Sequence, residues 1–86
     1  MNPKRSNFVL FVDGELWGLY STKTNVLCAA NRFIYEDVED EVAAEKEINK
    51  LSDSWGEPCH IDPIVAVGLD GRIQIEKYTV DLEMED

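Results

Sequence analysis

The 86-residue sequence predicts an α+β fold: a small antiparallel sheet of two β-hairpins packed by two helices, in the order ββααββ. Three observations lead there. Asp-Gly dipeptides at 13–14 and 70–71 each sit between β-rich runs. Between them, from Thr24 to Trp55, apolar residues recur with a helical period. Gly56 and Pro58 then end the helical stretch.

Taken in order, residues 1–6 are polar, contain Pro3 and are expected to fray, as are residues 83–86. The chain between reads as one domain, with no repeats or internal linkers. Asn7–Tyr20, NFVLFV-DG-ELWGLY, is the first hairpin, because its two central turn residues need the positive φ that Asp-Gly tolerates. A two-residue turn pairs Val12 with Glu15, Leu10 with Trp17 and Phe8 with Leu19 on one face. The other face then holds Phe11 with Leu16 and Val9 with Gly18, with Tyr20 nearby. Both faces are largely apolar, and one set of helices can cover only one of them. Val9, Phe11, Leu16, Gly18 and Tyr20 therefore form a candidate self-association surface, with Gly18 leaving room for another backbone.

Ser21–Thr24 supplies helix-cap candidates. Val26, Leu27, Ala30, Phe33 and Ile34 then fall on one stripe at about 100° per residue. Ala44, Ile48, Leu51 and Trp55 share its phase, but a continuous helix would turn Asp37 and Glu41 inward. A break near Asp37–Asp40 resolves the conflict and predicts helices over 23–36 and 39–55; one continuous helix is the alternative. Glu57–Pro63 reads as a loop and Ile64–Leu69 as a strand. Arg72–Leu82 is a long extended run whose apolar parity flips near Glu76-Lys77, which predicts a bulge or bend there.

The sequence of an apolar strand, a DG turn, "GLYST" leading into an alanine-containing helix and a late "IEKYTVDLE" strand resembles that of small acidic bacteriophage proteins of unassigned function. The likeness covers about half of the chain. It implies a source and carries no catalytic residue.

Charge is the other distinctive property. Eighteen acids against eight bases leave −10, which repels nucleic acid and anionic membranes. Residues 1–34 hold four bases and two acids, net +2, whereas residues 35–86 hold four bases and sixteen acids, net −12. No apolar run reaches the ~20 residues of a membrane span, and MNPKRSN leads into a short strand, so a cytoplasmic location is expected. Two cysteines, Cys28 and Cys59, spell out no disulfide framework.

Catalytic and cofactor chemistry finds little to build on. Cys59 and His60 are neighbours in an extended segment and point apart, so adjacency makes no dyad. Cys28, Cys59, His60 and Asp62 lack zinc-ligand spacing. No glycine-rich phosphate loop occurs, and YEDVEDEVAAEKE lacks the glycine and ligand spacing of a calcium loop. The expectation is a non-enzymatic protein without metal or cofactor.

The densest charge lies within Tyr35–Leu51: Glu36, Asp37, Glu39, Asp40, Glu41, Glu45 and Glu47. Helix-start stabilisation and a solvated face explain part of this, because unpaired N–H groups of a first turn favour negative charge. The functional reading treats these carboxylates as a partner-binding surface that imitates nucleic-acid backbone, with Glu76, Asp81 and Glu83 extending it. Its partner would be a basic, nucleic-acid-binding host protein, and the phage resemblance implies an anti-defence or host-takeover setting. A homo-oligomeric structural or accessory protein associating through hairpin 8–20 is the second expectation. A small-molecule sponge using Trp17, Tyr20 or Trp55, with Arg5, Lys23 and Arg32 for phosphorylated ligands, is the third.

Overall fold

The computed structural model describes the backbone of residues 4–81 and the side chains of 7–78. Its elements are β1 (Lys4–Val12), β2 (Glu15–Tyr20), α1 (Lys23–Asp37), α2 (Glu41–Asp53), β3 (Ile64–Gly68) and β4 (Ile73–Asp81). This is the α+β order read from the sequence, with four antiparallel strands and two helices. The sheet is more than two hairpins placed together. Its order is β2-β1-β4-β3, so the long β1–β4 ladder, from Lys4↔Asp81 to Val12↔Ile73, forms the centre. Lys4–Ser6 pair in that ladder; residues 1–3 and 82–86 lie outside the described residues.

Local chemistry accounts for the first hairpin. Asp13 and Gly14 have φ of 54° and 82°, the left-handed pair that a tight turn between twisted strands needs. Val12↔Glu15 and Phe11↔Leu16 pair as expected, but a bulge then adds Trp17 and places Gly18 opposite Leu10. Leu19 consequently faces Val9 and Tyr20 faces Phe8. Gly18 suits the bulge because the Tyr20 ring lies over it; a Cβ there would meet the Tyr20 hydroxyl at 2.7 Å.

The second connection differs from a two-residue turn. Leu69, Asp70 and Gly71 all have positive φ, and the strands close at Gly68↔Ile73. The expected bulge near Glu76-Lys77 is absent from the ladder with β1, whose register runs unbroken through those residues. The irregularity falls in β3, between Ile64 and Ala66. A central strand is held on both sides, whereas an edge strand can accommodate an extra residue.

Phe8, Leu10, Val12, Ala66, Ile73 and Ile75 lie on the helix side of the sheet and form the core with Val26, Ala30, Ile34, Ala44 and Leu51. Each large aliphatic side chain removed from water contributes about 1.5–3 kcal/mol. Leu27, Phe33, Ile48 and Trp55, the remaining members of the predicted stripe, pack at its margin. The helix break falls where the phase conflict put it. Thr22 Oγ1 accepts from Asn25 N–H at 3.1 Å to start α1, and Asp40 Oδ2 accepts from Ala43 N–H at 2.9 Å to start α2.

By alternation, the opposite face of the sheet carries Leu16, Leu19, Val9, Phe11 and Val67, and no described helix packs on it, although Val9 is buried there. Val9, Phe11 and Leu16 are where the sequence placed them. Gly18 and Tyr20 are not: the bulge turns both to the helix side, where Tyr20 packs against the core.

Candidate functional site

The corner between α1 and α2 is short. Val38 closes α1 with an N–H bond to the Ile34 carbonyl at 2.8 Å, and Asp40 already caps α2. Of the seven expected carboxylates, Glu36 and Asp37 end α1, Glu39 and Asp40 lie between the helices, and Glu41, Glu45 and Glu47 lie on α2; their surroundings divide them.

Asp37 accepts from Arg72 Nη1 at 2.9 Å and from Nη2 at 3.3 Å. The same guanidinium gives Nε to Asp13 at 2.8 Å and Nη2 at 3.2 Å, so one cation ties the hairpin turn to the end of α1. The Asp13 N–H also donates to the Arg72 carbonyl at 2.7 Å. Hydrogen bonding from Arg72 holds the Asp13 carboxyl below its ordinary range, and the two carboxylates hold the guanidinium more firmly protonated. Asp40 is occupied as a cap, and Glu47 lies 3.6 Å from Lys50. Glu36, Glu39, Glu41 and Glu45 remain exposed, and among the described residues none has a cation within ion-pair distance. Glu41 and Glu45 are one turn apart on α2 and so present like charge along one side. Of the acids expected to extend the surface, Glu76 accepts from the Tyr78 hydroxyl on the helix-free face, while the side chains of Asp81 and Glu83 lie outside the described residues.

The other candidates separate in space. Cys28 is exposed on α1 and Cys59 is exposed in the loop. The His60 ring lies 3.0 Å by Nε2 from the Ser54 carbonyl, engaging the end of α2. Among the described residues no three potential ligands gather as a metal would need. Trp17 meets Phe33 edge-on at 5.2 Å, whereas Trp55 packs on Phe8 at 5.4 Å with Lys23 over its ring at 4.8 Å. Tyr20 instead lines a shallow groove of about 360 Å³ with Asn25, Cys28, Ala29 and Arg32. Trp17, Tyr20 and Trp55 thus lie at separate places in the fold. No described helix is long and apolar enough to cross a membrane.

Two structurally important residues escaped the sequence reading. Arg72 follows the second Asp-Gly pair and had no visible partner, since Asp13 and Asp37 are distant in sequence. Ser54 looked like an ordinary helix-end residue, yet its hydroxyl donates to the Leu51 carbonyl at 2.7 Å and accepts from the Val67 N–H at 3.0 Å. A search of family models, of curated proteins and of solved structures returned no match to this chain.

Proposed function

We propose that this is a non-enzymatic acidic binding protein that acts in the cytoplasm by occupying the basic surface of a nucleic-acid-binding host protein. One observation carries the reading: Glu36, Glu39, Glu41 and Glu45 project from a corner that capping and the Arg72 bridge hold in shape, with no described cation neutralising them. A polyanionic surface of this kind accelerates encounter with a basic groove and competes with phosphate backbone for it. Asp37 and Asp40 support the corner instead of serving as its contact groups, and Glu47 is paired with Lys50 along α2. The phage resemblance supplies an anti-defence or host-takeover setting for the same activity.

The test is a pull-down from host lysate at low and at moderate salt, with the charge-neutral variant E36Q/E39Q/E41Q/E45Q beside the unmodified chain. A nucleic-acid-binding protein should be retained at low salt by the unmodified chain alone. Equal retention of that protein by the variant, at unchanged helix content, would overturn the proposal.

Self-association through hairpin 8–20 has its own support. Leu16, Trp17 and Leu19 are 61%, 52% and 69% exposed, and all three lie on β2, an outer strand of the sheet. A molecular mass that stays at 9.8 kDa by light scattering at high protein concentration would exclude it.

A further inference from the structure

We propose that the outer edge of β2 pairs antiparallel with β2 of a second copy, about a two-fold axis between Trp17 and Gly18, and that each Trp17 enters the other copy's groove beside Tyr20 and Arg32. The proposal rests on the self-association reading and adds to it a register and a pocket.

The backbone supplies the register. The Asp13 N–H bonds to Arg72, so odd-numbered positions of β1 direct their backbone groups to β4 and even-numbered ones direct theirs to β2. The even positions Val12, Leu10 and Phe8 pair with Glu15, Gly18 and Tyr20. Leu16 and Leu19 pair with the odd positions Phe11 and Val9, and therefore aim their own N–H and C=O away from β1, into the open edge. When Leu16 meets Leu19 of a second copy, donors and acceptors match on both sides of the two-fold axis. A shift by one residue would instead set one of these leucines against a residue whose backbone groups already face β1.

The side chains agree with that register. The bulge puts Leu16 and Leu19 on the same helix-free face, so pairing gathers the leucines of both copies into one apolar cluster. On the helix side, each Trp17, on leaving its edge contact with Phe33, meets the other copy's Gly18 and the Tyr20 ring that lies over it. The groove lined by Tyr20, Asn25, Cys28, Ala29 and Arg32 borders that place. It offers an indole an aromatic wall and a guanidinium.

Charge favours a second copy in this orientation. Glu15, at the turn end, is the sole charged residue of β2. Antiparallel pairing sends the two Asp13–Gly14 turns to opposite ends of the assembly, and Arg72 fastens each acidic corner to its own turn. Two chains of net charge −10 can then meet along their least charged strand with their acidic corners far apart. The opposite edge of the sheet is already occupied: Ser54 Oγ takes the Val67 N–H, and the Gly56 N–H donates to the Val65 carbonyl at 2.8 Å.

Sedimentation equilibrium over a wide concentration range tests the assembly, with Trp17 emission read in Trp55→Phe, where it is the only indole. The expected result is twice the 9.8 kDa chain mass at high concentration, with a blue shift of Trp17 emission over the same range. Leu16→Pro removes an outward N–H without removing a bond to β1, and should raise the dissociation constant about tenfold or more. Should that variant lose its strand signature in circular dichroism, Leu16→Lys and Trp17→Ala replace it, with the same expectation. A monomer at every concentration would overturn both the edge pairing and the self-association reading. A dimer that ignores Trp17→Ala and leaves Trp17 emission unchanged, yet dissociates on Val67→Lys, would overturn the edge pairing alone and assign association to the open face, which Leu16 shares.

Discussion

The two outer strands of the sheet meet solvent in opposite ways. β3 is closed: Ser54 and Gly56, just past α2, take up the backbone groups of Val67 and Val65, and the Leu51 side chain lies against Gly68. β2 is open, with its three large apolar side chains half or more exposed. Chain topology explains the contrast. The residues after α2 return alongside β3 before entering it, so the helix end is at hand to satisfy that edge. β2 instead passes through Ser21 and Thr22 straight into α1, which crosses above the sheet and leaves the strand's outer side free. An edge strand is therefore protected when the preceding helix terminates beside it and exposed when the following helix leaves over the face.

Substitutions can break or sharpen this contrast, and the largest effects belong to the closed side. Leu51→Ala removes a fully buried side chain that joins α2 to β3 and should cost about 2–5 kcal/mol in denaturant unfolding. Gly68→Ala should cost about 1–3 kcal/mol by overpacking, since its Cβ would sit 3.2 Å from Leu51 Cδ1. Ser54→Ala leaves the Val67 N–H without its partner, for about 1–3 kcal/mol, and should accelerate amide exchange at Val67 above that of Ile75 in the core. On the open side, Leu19→Lys should change monomer stability by less than about 0.5 kcal/mol, a null result that contrasts with the β3 variants.

The smallest effect concerns Arg72 and the turn that leads into β2. Because Arg72 depresses the folded-state pKa of Asp13, the folded chain binds fewer protons than the unfolded one as pH falls through the carboxylate range. The stabilisation is complete above the unfolded value, near about pH 4, and is lost as pH drops through the depressed one. Arg72→Gln should flatten that part of the acid unfolding profile, with little change at neutral pH where solvent screens the exposed pair. An unaltered acid limb would show that the bridge contributes nothing to folding.

Much of the architecture was legible because it depends on neighbours in sequence. Asp13-Gly14 specifies a turn through its own φ preferences, and the phase conflict at Asp37 and Glu41 marks the helix break through a period of 3.6. The candidate site was legible only as a stretch of carboxylates. That Asp37 belongs to Arg72 and Asp40 to a cap depends on distances between parts of the chain far apart in sequence or on one specific backbone N–H, and composition carries neither.

The sequence by itself determined the element types, the turn, the core stripe and the excess of negative charge, all consequences of local sterics, periodicity and side-chain identity. Only the tertiary structure decided the strand order, the bulge at Trp17–Gly18 and which edge is sealed. Those depend on non-local pairing: a single inserted residue in β2 carried Gly18 and Tyr20 to the helix side, and the course of the chain after α2, not any residue of β3, closed the opposite edge.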